Sequence, residues 1–277
     1  MHENNVRAKV MKGGTSFGQM AFEFFTPGLS RIMANAGAEF VILDTEHSGV
    51  GVETIKSQVA FARGTGVAPM VRVTGTHYHL IAPMLDAGVH GIMVPMVETA
   101  EQAAKIASWC RYRPAGVRGL AFGMPHDGYR GGDHIASMKE ANERTLVIAL
   151  VETAIGIENV EAIMATPGID VGWLGHYDLT NSYGIDGQFD HPRYKEAVKK
   201  LVKACAKNGK PAGFLCGDVK SGRRYLDWGF RMLCYGTDTA VFQGALKAGI
   251  DGLKAHKARR ALIRPPTSIR RAPISAR

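Results

Sequence analysis

The sequence predicts a (β/α)8 barrel, and three observations carry the prediction. Short apolar runs recur eight times, each followed by a segment of helical pattern. Glycines close several of the helical segments, at Gly37, Gly66, Gly88, Gly168, Gly209 and Gly229, where a residue free to turn left-handed caps a helix. The chain has 277 residues, close to the roughly 250 that one such barrel occupies.

The elements follow in order. "FGQMAFEF" reads as a first strand and "PGLSRIMANAG" as its helix. "AEFVILDT" then precedes "GVETIKSQVAFARGTG", "APMVRVTG" precedes "HYHLIAPMLDAG", and "HGIMVPMV" precedes "TAEQAAKIASWCR". "TLVIALVET" is followed by "GIENVEAIMATPG", "IDVGWLGHYDL" by "PRYKEAVKKLVKACAKNG", "PAGFLCG" by "VKSGRRYLDWG", and "FRMLCYGTD" by "AVFQGALKAGIDGLKAH". Near-continuous apolar strands alternating with helices imply a parallel sheet covered on both faces. Eight such units close most simply into a barrel. An open doubly wound sheet is the alternative, but no G-x-G-x-x-G follows the first strand. One long irregular stretch, "RYRPAGVRGLAFGMPHDGYRGGDH", is rich in Gly and aromatics and reads as a loop over an active site. The barrel is expected over residues 1–253, with a basic tail over 254–277.

Composition narrows the function classes. Apolar residues make up 45%, enough for a core. No apolar run reaches the length of a membrane span, and the polar start "MHENNVRAKVMKGG" lacks the apolar centre of a secretory signal. Cys110, Cys205, Cys216 and Cys234 are scattered without C-x-x-C or zinc spacing. They read as reduced thiols of a cytoplasmic protein. The net charge is +9. Eight basic residues lie beyond Asp251 (Lys254, Lys257, Arg259, Arg260, Arg264, Arg270, Arg271, Arg277), so the rest of the chain carries about +1. A Pro-containing basic tail suits either a solvated extension or an anchor for nucleic acid or acidic lipid. Composition favours the extension, and no nucleic-acid-binding motif lies upstream.

Polar residues gather where strands end. "FVILDTEHSG" places Asp44, Glu46 and His47 directly after an apolar run, and the next strand carries Arg72. "TLVIALVET" ends in Glu152, and "VGWLGHYDL" ends in His176, Tyr177 and Asp178. In a barrel these ends share one face, the face that holds the active site. Glu152 and Asp178 are hard oxygen donors suited to Mg2+, Mn2+ or Co2+, with positions left open for substrate. His47 can exchange a proton near neutral pH. Arg72 can brace a carboxylate or a developing oxyanion. Each has a plainer reading as well. Glu152 and Asp178 can cap the helices that follow them. His47 can be an ordinary loop histidine, Arg72 can merely pair with Asp44 or Glu46, and His176 and Tyr177 can be packing. Convergence on one mouth favours a site. No strand end carries a lysine, which argues against Schiff-base chemistry.

The segments "LDTEHSG", "VRV", "MLDAGVHGIMVPMVETAEQA", "YRPAGVRG", "LVETAIGIENVEAI" and "WLGHYDLTNSYGIDGQFDHP" resemble, in order, the HpcH/HpaI aldolase/citrate lyase family. More narrowly they resemble its class II, metal-dependent pyruvate aldolases. The resemblance covers roughly residues 15–253. It implies a barrel of the phosphoenolpyruvate/pyruvate-domain type, assembled as a homohexamer. The implied activity is reversible cleavage of a 4-hydroxy-2-oxo acid to pyruvate and an aldehyde, through a pyruvate enolate on a divalent metal ion. Carried over position by position, Glu152 and Asp178 are metal ligands, and His47 is the acid/base, oriented by Asp86. Arg72 contacts the keto oxygen, backbone N–H groups around Tyr177 and Asp178 hold the carboxylate, and Glu46 supports the ion through water beside Asp44.

Two departures stand out. The family often has Gln where this chain has Leu150, and its G-P-A-D turn is here "GHYD", with His176 and Tyr177. Both changes fall beside the expected substrate and point to an altered aldehyde preference. Oxaloacetate decarboxylation, or another reaction of the same enolate, is a rival within the same chemistry. A nucleic-acid-associated role through the tail is a rival from another class, and it leaves the strand-end cluster unexplained.

Overall fold

Eight parallel strands pair in chain order and close, β8 returning to β1. The structure, a computed structural model, describes residues 4–263. In order the elements are α1 (Asn5–Met11), β1 (Ser16–Ala21), α2 (Leu29–Asn35), β2 (Phe40–Asp44), α3 (Val52–Ala62), β3 (Ala68–Arg72), α4 (Tyr78–Asp86), β4 (Gly91–Val94) and α5 (Ala100–Trp109). There follow α6 (His134–Arg144), β5 (Leu146–Val151), α7 (Ala154–Glu158), α8 (Val160–Ala165), β6 (Val171–Leu174), α9 (His176–Ser182), α10 (Pro192–Lys207), β7 (Ala212–Cys216), α11 (Val219–Asp227), β8 (Phe230–Thr237) and α12 (Asp238–Ile263). The expected barrel is therefore the fold. The six glycines expected to follow helices all have φ between 66° and 100°, the left-handed region that costs glycine least.

The strand period of two decides what faces the barrel axis. Phe40 and Ile42 of β2, Ala68 and Met70 of β3, Leu146, Ile148 and Leu150 of β5, Val171 and Trp173 of β6, and Met232 and Cys234 of β8 form one buried inner cluster. Large and small side chains alternate around it. A Cβ on Gly213 would come within 2.1 Å of the Trp173 ring, and one on Gly18 within 2.7 Å of the Phe40 ring. Val6 and Val10 of α1 join the same cluster. The Asn4 side chain donates to the carbonyls of His90 and Arg144, which precede β4 and β5. Together these contacts plug the N-terminal end of the barrel. The alternate residues, such as Val41, Leu43, Val71, Ile92 and Val147, pack outward with Ile55, Ile81, Ile106 and Leu201 of the helices.

The irregular stretch 111–134, expected as a loop over the active site, packs along α4. It follows a helix, so it starts at the N-terminal end of the barrel. Arg118 pairs with Asp86 at 2.6 Å, and the Gly119 N–H donates to the Tyr78 hydroxyl. Arg63 and Arg144 then donate to the carbonyls of Pro125 and His126.

The chain divides into two compact units, Met1–Thr239 and Ala240–Arg277. The first holds the whole barrel. The second holds most of α12, and the boundary expected at 253/254 falls inside that helix. The proposed basic tail lies, beyond residue 263, outside the described residues. Among the described residues no helix is long and apolar enough to cross a membrane. The four cysteines are buried and unpaired.

Candidate active site

The inward alternation that builds the core also builds the site. Asp44 continues Phe40 and Ile42, Arg72 continues Ala68 and Met70, and Glu152 continues Leu146, Ile148 and Leu150. Each is the next inward position at the C-terminal end of its strand. Asp44 and Arg72 are register partners across β2 and β3.

Asp44 is wholly buried and anchors this corner. One carboxylate oxygen accepts from Arg72 Nε at 2.6 Å. The carboxylate also accepts from the backbone N–H groups of Glu46 at 3.3 Å and His47 at 2.9 Å. A buried carboxylate unpaired would be costly; here it fixes both the guanidinium and the turn that follows β2. Arg72 NH1 reaches Glu46 Oε2 at 3.2 Å, and the Phe22 ring lies 5.6 Å from the guanidinium carbon. The pairing of Arg72 with Asp44 and Glu46, raised as its plainer role, thus does occur, and it aims the guanidinium into the mouth. His47 Nε2 stands 3.9 Å from Glu46 Oε2, its side chain largely exposed. Burial raises the Glu46 carboxyl above its ordinary range, partly offset by Arg72.

Glu152 sits across the mouth, 4% exposed. Its Oε1 accepts from the Met96 N–H at 2.8 Å. That N–H is presented by a strained turn, since Met96 has φ 56°, uncommon for a residue with a Cβ. On the other side Gly175 gives the carboxylate room, because a Cβ there would meet Glu152 Oε2 at 2.4 Å. Burial raises the Glu152 carboxyl to about 7; the Met96 N–H opposes this, and the charges of Asp178 and Glu46 add to it. Asp178 stands in the first turn of α9, exposed towards solvent.

The remaining expected residues fall less centrally. Leu150 is the inward position below Glu152 and packs in the inner cluster. Tyr177 is 65% exposed. The His176 ring lies 4.8 Å from Phe214 and 5.2 Å from Phe189. Expected beside a substrate, it is here part of an aromatic packing group that includes Phe214 of the barrel–helix layer. Its burial lowers its pKa to about 4. Asp86 is held by Arg118 at the C-terminal end of α4, and among the described residues no hydrogen bond or ion pair joins it to His47.

Three contributors were not singled out from sequence: Met96, Gly175 and Asp238. The buried Asp238 carboxylate accepts from the consecutive N–H groups of Phe22, Glu23 and Phe24 at 3.0, 3.0 and 2.7 Å. It thereby fixes the turn that sets Phe22 beside Arg72. An acidic residue opening a long helix directly after a strand was the available signal.

The residues present fit a hard divalent ion. Three carboxylates, those of Glu46, Glu152 and Asp178, lie within electrostatic reach of one another, and one is buried enough to retain its proton near neutrality. A cation relieves that repulsion. Among the described residues no three His, Cys, Asp or Glu side chains converge closely enough to complete an ion's coordination.

The fold is a (β/α)8 barrel with carboxylates and one arginine gathered at the C-terminal strand ends, the end where enzymes of this fold hold their active sites. The HpcH/HpaI aldolase/citrate lyase family model matches residues 22–245, and the chain belongs to that family. It is 34% identical over 228 residues to a 5-keto-4-deoxy-D-glucarate aldolase of Klebsiella pneumoniae, covering 82% of this chain and 88% of that one. It is 34% identical to a hydroxypyruvate/pyruvate aldolase of Chromohalobacter salexigens, covering 85% and 92%. The crystal structure of an HpcH/HpaI aldolase from Desulfitobacterium hafniense superposes with a TM-score of 0.86 at 28% identity, covering 90% and 96%. The chain is accordingly a carbon–carbon lyase of the pyruvate-aldolase type.

Proposed function

We propose that this lyase cleaves a 4-hydroxy-2-oxo acid reversibly to pyruvate and an aldehyde, with a divalent metal ion held by Glu152 and Asp178. The observation that carries the reading is the placement of Glu152, Arg72 and Asp44 as successive inward positions around one mouth, with Glu46 and Asp178 in electrostatic reach. The ion, when bound, supplies Lewis-acid stabilisation of negative charge on the keto oxygen. The chain supplies the rest. Arg72, held by Asp44 and Glu46, presents fixed N–H donors to the oxygen on which charge develops. The N–H groups of His176, Tyr177 and Asp178 precede the first bond of α9, from Leu179 N–H to the Gly175 carbonyl. They are open to the substrate carboxylate. His47, on the turn fixed by Asp44, takes the proton of the C4 hydroxyl as the C3–C4 bond breaks and returns it in the synthetic direction. Glu46 is the group that tunes it. Asp86 would serve His47 only from another copy of the chain, in keeping with the homohexamer implied by the family. Leu150, apolar below Glu152, and Tyr177 at the mouth are the positions where the acceptor aldehyde would differ from those of relatives.

The test is deuterium exchange into the pyruvate methyl group in D2O, followed by NMR with metal-stripped protein and with Mg2+, Mn2+ or Co2+ added. Exchange that needs an ion and vanishes in Glu152→Ala supports the reading. Ion-independent exchange, or none with any ion, refutes it. An acceptor and oxaloacetate screen on the same samples separates aldol cleavage from decarboxylation.

A further inference from the structure

A second concavity lies at the opposite end of the barrel from the mouth. It is a cavity of about 370 Å³ lined, among the described residues, by Arg63 beyond α3, His90 before β4, Arg144 at the end of α6, and apolar groups including Val59, Val67 and Pro125. Among the described residues no aspartate or glutamate lines it. Arg144 is only 7% exposed. One of its terminal nitrogens donates to the His126 carbonyl at 3.2 Å, while its Nε is buried without a hydrogen-bond partner. Arg118 repels it, and the attraction it feels comes from Glu140, on the exposed side of α6, and from Tyr112. Among the described residues no hydrogen bond or ion pair joins the Arg144 guanidinium to a carboxylate, and burying a cation is unfavourable unless an anion, such as one entering the cavity, offsets it. Arg63 is pre-positioned at the rim, donating to the Pro125 carbonyl at 3.2 Å with its guanidinium 5.7 Å from the Tyr129 ring. The volume is in the range of small-molecule sites, and apolar walls with a few convergent polar groups are their usual make-up.

We propose that this cavity is a second binding site, remote from the catalytic mouth, for a small organic oxyanion whose carboxylate or phosphate head meets Arg144 and Arg63 and whose short apolar body lies against Val59, Val67 and Pro125. Isothermal titration calorimetry on the full chain with inorganic phosphate, acetate and butanoate tests it. Saturable binding at one site per chain is expected. Arg63→Gln and Arg144→Gln each weaken it about tenfold or more, as loss of a charge-assisted hydrogen bond does, and Arg72→Gln leaves it unchanged. Butanoate binding more tightly than acetate supports the apolar body; phosphate binding alone assigns the head to phosphate. Arg63 is exposed, so its variant tests the site even where Arg144→Gln fails to fold. Three results overturn the proposal: no saturable binding of any probe, binding indifferent to both Arg63→Gln and Arg144→Gln, or binding lost in Arg72→Gln.

Discussion

Glu152, which is buried, and His176, which is partly buried, titrate so as to pull stability in opposite directions. In the unfolded chain Glu152 loses its proton near 4.5, and in the folded, metal-free chain near 7. Between these values the folded state holds the extra proton, so stability falls as pH rises, by about 3 kcal/mol in all. His176 behaves in reverse. It binds a proton near 6.5 when unfolded and near 4 when folded, so its contribution rises with pH across that window. The residue is only partly buried, which reduces the effect to about 2 kcal/mol. Chemical denaturation of chelator-treated protein between pH 4 and 7.5 separates the two. The stability of Glu152→Gln relative to the native chain should climb with pH, and that of His176→Phe should fall. Parallel curves for all three proteins would show that neither group is held as described. On the proposed function, in which Glu152 holds the ion, the same proton must leave before the ion binds. Apparent metal affinity should therefore drop by up to about tenfold per pH unit below 7, a slope readable by titration calorimetry and absent in Glu152→Gln.

At the scale of elements, the strand–helix order and the residues placed at strand ends were legible because both follow from period and position. An inward-facing strand residue repeats every second position, so Asp44, Arg72 and Glu152 stand in line with the apolar core residues before them. What was not legible depended on contacts between distant elements. The Gly-rich composition of residues 111–134 marks a loop and says nothing about which end of the barrel it serves. That is set by its following α5 and by Arg118 meeting Asp86. Likewise His176 reads as a polar group beside the substrate until Phe189 and Phe214, 13 and 38 positions on, close around its ring. Asp238 is the sharpest case, gathering N–H groups more than 210 positions earlier. Replacing it by Asn removes the charge that makes these bonds strong and turns an amide donor towards one or more N–H groups. The expected cost is about 1–3 kcal/mol of stability. Pyruvate exchange should slow as Phe22 and Arg72 lose their fixed relation, while metal affinity, assigned by the proposed function to Glu152 after β5 and Asp178 after β6, stays native. Thermal melts, exchange NMR and metal titration on Asp238→Asn check this. A variant with native melting and exchange would mean that the turn after β1 is held by other contacts.

The whole molecule presents an apolar stripe that a monomer has little reason to keep. On α12, Phe242, Leu246, Ile250 and Leu253 recur at spacings of four, four and three, and each is at least 41% exposed. Helical residues at such spacings share a face, and a contiguous exposed apolar face marks an association surface. The charge distribution does not oppose self-association. Most of the +9 belongs to residues beyond Asp251, leaving the barrel near neutral, so copies can approach without strong mutual repulsion. Closed symmetric homo-oligomers are the common outcome for such surfaces. Analytical ultracentrifugation should therefore give a mass several times 29.9 kDa. Leu246→Glu combined with Ile250→Glu should shift it to the single-chain value, because burying two carboxylates in an apolar contact is costly. The carboxylates proposed as metal ligands, Glu152 and Asp178, belong to the barrel unit, so the double variant should still bind the ion with native affinity. If the native chain sediments at 29.9 kDa, or the double variant remains assembled, α12 is not the element that joins the copies.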